Sequence, residues 1–198
     1  MSVEVQESKA KASATQSAES VERSGALFTI VRDVRLLLIA LWLGGAVFFS
    51  AVVAPVAFSV LRSRNVVYAN EAAGTIVTRV LSVINTSGFI IALLLLAGAL
   101  LFRKSATQRA FFVETVSLAL VAIATGVGQW IISARMLALR AAMVRPIDDV
   151  PTDYPLRMSF NSLHGFSVAA LGIAIIAAAV ALLVISRRGQ RLEVRGRE

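Results

Sequence analysis

The stretch MSFNSLHGFSVAALGIAIIAAAVALLVIS, residues 158–186, contains no Lys, Arg, Asp or Glu. Its 29 residues exceed the ~20 that a helix needs to cross the hydrocarbon core of a bilayer. The only histidine of the chain, His164, lies near its start. Ionisable groups inside membrane helices are costly and tend to face the interior of a bundle, so this segment bears on both the fold and the site.

Working outward, three more windows lack charge. They are residues 36–61, between Arg35 and Arg62, residues 80–102, and residues 115–134. Four such windows predict an all-α integral membrane protein, a four-helix bundle running up-down-up-down with short connections. Pro55 lacks an N–H, which deprives the Ala51 carbonyl of its helical partner and predicts a kink of the first helix there. Residues 65–82 carry Glu71, Gly74 and Arg79 and are expected to be a short loop leading into a helical extension of the second span. The third helix is expected to run past the membrane through Arg140 and to stop before Pro146. Three prolines and three aspartates make 146–155 a loop.

The flanks divide the chain. Residues 1–25 are rich in Ser, Ala, Glu and Lys without an apolar run, the composition of a disordered tail. Residues 26–186 form the membrane domain and 187–198 a basic tail. With four spans, both ends lie on one side, together with Arg103, Lys104 and Arg109; that side holds thirteen Lys and Arg against seven on the other. The bias predicts cytoplasmic ends in an inner (plasma) membrane.

Composition narrows the function classes. The chain is 57% hydrophobic and 16% charged, against roughly 45–50% and 25% for soluble domains. Without cysteine, disulfides and thiolate ligands are excluded, and one histidine excludes a multi-histidine site within one chain. The net charge of +8 comes from residues that flank apolar segments, where they meet lipid headgroups; the partner expected is the bilayer, not nucleic acid. No phosphate-binding loop, nucleophile elbow or His-Glu-x-x-His motif occurs. Ser162 and His164 have no orienting carboxylate in their span, so catalysis is not expected.

Flanking charges give a depth scale. His164 and Pro55 each lie seven residues inside an arginine, and Gln129 and Asn85 six, or about 9–10 Å below the interface at ~1.5 Å per residue. Asn161 is one turn before His164, and Arg157 stands at the mouth. This layer of Asn85, Gln129, Asn161, His164 and Arg157 admits two readings. One is interhelical glue. The other is a site for a metal, haem or small ion, with His164 as the metal ligand. A further candidate is the stripe Ala46, Ser50 and Ala54, whose small side chains permit close helix packing against a membrane partner or a second copy. The Asp148, Asp149 and Asp153 cluster lacks the spacing of a cation loop and reads as turn chemistry.

Trp42-Leu43-Gly44 with Phe48, Phe49 and Ala54-Pro55-Val56-Ala57-Phe58 resembles the first helix of the transmembrane protein 205-like family, whose bacterial members are called a domain of unknown function. Residues 134–140 and 160–167 resemble the third-helix exit and fourth-helix signature of that family. The resemblance implies a four-helix membrane bundle and a distant relation to copper-resistance protein D-like and haem-binding membrane families, which use histidines in such bundles.

Overall fold

A computed structural model describes residues 29–101 and 107–195, with side chains to residue 187. The expected tail at 1–25, the expected tail at 187–198 apart from Arg187 and the backbone to residue 195, and Arg103 and Lys104 fall outside what is described. Four helices account for the spans: α1 (Thr29–Ser63), α2 (Ala69–Leu101), α3 (Gln108–Ala142) and α4 (Pro155–Arg195). Each is long and apolar enough to cross a membrane, and no strand occurs among the described residues. The protein is therefore a multi-pass helical membrane protein. Its helices pack on their chain neighbours, α1 on α2, α2 on α3 and α3 on α4, as short connections require.

The core is built from small and branched side chains. Ile39, Trp42 and Ala46 of α1 join Ala92 and Leu95 of α2, Leu118 and Val121 of α3, and Leu171, Ala174, Ala178 and Ala181 of α4. Alanines at this density let helix axes approach closely, which matters where lipid supplies no hydrophobic drive between helices. Ala46 is fully buried in this core and Ala54 is half-buried, while the exposed Ser50 returns its hydroxyl to the Ala46 carbonyl. The three do not form one outward stripe: Ala46 is committed to the chain's own packing.

Two helices contain a π turn. In α1 it spans Phe49–Val53 and ends as Pro55 enters the first turn of the α-helix that follows; the Ala54 N–H donates to the Phe49 carbonyl. The wider turn is how the helix absorbs the missing proline N–H. In α3 the π turn is Val127–Ile132, within an otherwise continuous helix.

On the side of the α1–α2 and α3–α4 connections, polar side chains stitch the loops together. Asp148, in the short 3-10 turn Ile147–Asp149, accepts from the Asn70 N–H at 3.3 Å and the Glu71 N–H at 3.0 Å, so it caps the N-terminus of α2 from another loop. Glu71 pairs with Arg140 and accepts from the Ile147 N–H at 3.1 Å. The chain's two tyrosines, Tyr68 and Tyr154, lie half-exposed at this end, the position of interfacial aromatic anchors.

Candidate functional site

The polar layer of the sequence separates into two places. Its inner part is the α1–α2–α3 junction. There the Trp42 indole N–H donates to the Ile84 carbonyl at 2.9 Å, and Gln129 Nε2 donates to Ser82 Oγ at 2.9 Å. Asn85, 3% exposed, packs on the backbone of Gly128, where a Cβ would come within 3.1 Å of its Nδ2. The π turn in α3 presents Gly128 and Gln129 together to α2. Such bulges recur at functional sites because they re-aim side chains at a local cost. Gln129 Oε1 is buried there and accepts no hydrogen bond.

Its outer part is on α4. Asn161, His164 and Gly165 are exposed on the described bundle, as are Val168 and Ala169. At 100° per residue, Asn161, His164, Gly165, Val168 and Gly172 fall on one side of the helix. A Cβ added at Gly165 or at Gly172 would meet nothing within 4 Å, so packing among the described residues does not account for these glycines. Gly165 and Ala169 are four apart, the small-xxx-small spacing by which membrane helices approach one another. The structure thus brings Asn85 and Gln129 together and directs His164 and Asn161 away from the bundle. Arg157, at the start of α4, donates to the Val150 carbonyl.

A buried charge pair is absent from the sequence reading. The Arg35 guanidinium of α1 donates to the Glu114 carboxylate of α3 and, at 3.1 Å, to the Leu95 carbonyl of α2. Glu114 is 0% exposed and the Arg35 side chain 12%. Each ends a charge-free window and so reads as an interfacial flank. The signal lay in the length of α3: it begins at Gln108, nearly two turns before Glu114.

Among the described residues no three of His, Cys, Asp and Glu come together as a metal cluster. The aspartates at 148, 149 and 153 do not gather, because Asp148 is spent on capping α2.

Neither a curated protein nor a solved structure matches the chain. The family model of a domain of unknown function, DUF4149, matches residues 37–145. That interval takes in Trp42, Asn85, Glu114 and Gln129 and ends before the Phe160–Ser167 element of α4. It covers more than half of the 198 residues, and the chain belongs to that family.

Proposed function

We propose that this member of the DUF4149 family is a non-catalytic membrane subunit that self-associates through the outward face of α4. The observation that carries this is the position of Asn161 and His164: two side chains with donors and acceptors, one turn apart, on a membrane-span face that the described residues leave open. Polar groups facing lipid are expensive, and a neighbouring helix satisfies them for about 1 kcal/mol each. A second copy is the natural occupant because the face is self-complementary. In an isologous contact, Asn161 of each copy can meet His164 of the other, while Gly165, Ala169 and Gly172 leave room for the backbones to close.

The natural absence of cysteine makes the test direct. Val168→Cys, on this face, should give a disulfide-linked dimer in membranes under mild oxidant, and Ile123→Cys, exposed on α3, should not. His164→Leu should weaken the cross-link at Val168→Cys, and His164→Gln should keep it. A monomer in detergent with no cross-link above the Ile123→Cys level would end this reading.

A second reading places a small polar ligand, a metal or haem at the layer, as the resemblance to transmembrane protein 205-like and copper-resistance protein D-like proteins implies. Its support is the orphaned Gln129 Oε1, next in sequence to the Gly128 on which Asn85 packs, since a buried acceptor left unpaired costs about 1–3 kcal/mol. A metal or haem held by one chain does not fit the donors described: one imidazole faces outward, away from Asn85 and Gln129. The metal content and absorption spectrum of the purified protein decide the matter, and a spectrum without a chromophore together with no stoichiometric metal would exclude metal and haem.

A further inference from the structure

Between α2 and α3 runs a groove of about 540 Å³, within the 300–1,000 Å³ of small-molecule sites. Phe89, Leu93 and Leu96 form one wall, and Ala119, Gly126 and Ile131 the other. Its floor is shallow where the small residues lie: a Cβ at Gly126 would come within 3.3 Å of the Phe89 ring. At the end nearer the π turn, Phe89 and Trp130 meet edge to face, with centroids 4.8 Å apart. Leu93, Ile123, Trp130 and Ile131 are exposed, so the groove opens sideways from two membrane spans, where its surroundings are acyl chains.

Following the walls toward the α1–α2 and α3–α4 loops, polarity returns in order. The α2 wall continues through Ser82 to Arg79, one turn beyond it, and the α3 wall through Ile131 to Arg135, again one turn on. Arg79 and Arg135 are exposed, and neither belongs to an ion pair among the described residues. Of the other arginines at this end, Arg140 is engaged with Glu71, Arg62 with Asn70 and Arg157 with Val150, while Arg64 and Arg145 lie past the ends of α1 and α3, in the connecting loops, and not on the two walls. By position along α2 and α3, these two exposed arginines are the first charges met beyond the apolar lining in that direction. Arginine suits phosphate oxygens by its planar fork of donors.

We propose that this groove holds an anionic phospholipid, one acyl chain lying along Phe89, Leu93 and Leu96 and the phosphate headgroup held by Arg79 and Arg135. The walls run far enough for a chain: from Ala119 to Ile131, α3 rises about 18 Å at ~1.5 Å per residue. This inference stands apart from the α4 assembly, since it concerns a different face.

Trp130 is a built-in probe. It lines the groove, and the other tryptophan, Trp42, is buried in the core. The full chain would be reconstituted in phosphatidylcholine vesicles with increasing shares of phospholipid carrying brominated acyl chains. Brominated phosphatidylglycerol is expected to quench Trp130 at a roughly tenfold lower share than brominated phosphatidylcholine, as two arginines near a lipid surface allow. Arg79→Gln with Arg135→Gln should erase that preference while leaving quenching by phosphatidylcholine unchanged. Ala119→Phe, which fills the groove, should reduce quenching by both. Equal quenching by the two lipids in the native chain would overturn the proposal, because it describes ordinary solvating lipid. So would a preference that survives the double arginine variant, or an Ile131→Cys variant that cross-links to a second copy, which would mean that protein covers the groove.

Discussion

The guanidinium of Arg35 is bound to the carboxylate of Glu114 inside the bundle, and the same side chain reaches the Leu95 carbonyl. One residue of α1 thereby fixes the axial registry of α2 and α3. Gly98 makes room for it: a Cβ there would sit 3.4 Å from Arg35 Nε.

Removing one partner leaves the other charge buried, at a cost of about 3–5 kcal/mol, whereas replacing both by apolar groups is often neutral. Glu114→Ala and Arg35→Ala should each lower the thermal unfolding midpoint in detergent sharply. Arg35→Met combined with Glu114→Leu should restore most of the loss. If the double variant is as unstable as the sum of the single ones, the pair is not acting as a unit.

The glycines separate into internal and external ones. At Gly88 a Cβ would lie 2.6 Å from the Trp42 indole, the ring whose N–H holds Ile84. Gly88→Ala should therefore displace Trp42 and cost about 1–3 kcal/mol, as overpacking does. Gly44→Ala, where nothing lies within 4 Å, should be neutral or gain up to about 1 kcal/mol of helix propensity. Near-ultraviolet circular dichroism of the tryptophans, with the unfolding midpoint, separates the two; equal effects would contradict the packing described.

Val144 follows the end of α3 with φ of 60° and is 91% exposed. A β-branched residue in the left-handed region carries a steric cost of roughly 1–2 kcal/mol, and this one has little packing to repay it. Val144→Gly should raise stability by about 0.5–1 kcal/mol, after allowing for the extra freedom glycine has when unfolded. A lowered midpoint would show that the Val144 side chain contributes contacts of its own.

Four charge-free windows made the bundle legible, because in a bilayer backbone satisfaction leaves helices as the way to span with such segments. The loop at 146–155 and the helical extension before residue 80 follow from local chemistry and were equally legible; at Pro55 the lost hydrogen bond was legible, but not that a π turn would absorb it. The site was less so. A depth scale taken from flanking arginines has no angular component, so it grouped His164 with Asn85 and Gln129 although they point in different directions. Ala46 was readable as small but not as inward-facing, since a small residue suits contact with its own bundle and with a partner alike. Arg35 and Glu114 escaped because a charge at the edge of an apolar run reads as a flank until its partner on another helix is known.

The orientation in the membrane rests on the arginine and lysine bias, thirteen against seven. On the positive-inside rule the two ends of the bundle and the α2–α3 connection are expected to face the cytoplasm, and the α1–α2 and α3–α4 loops to face away. The margin comes largely from the two ends, while Arg62, Arg64, Arg145 and Arg157 oppose it near the membrane. Cysteine scanning is clean because the chain has none. Thr152→Cys, in the exposed α3–α4 loop, should react with an impermeant thiol reagent in intact cells. Gln108→Cys, at the exposed start of α3, should react only after permeabilisation. Neutralising Arg187, Arg188 and Arg191 together should raise the fraction of chains labelled the other way round. Labelling at Gln108→Cys but not at Thr152→Cys in intact cells would invert the assignment and place the Asp148 cap and the Glu71–Arg140 pair on the cytoplasmic side.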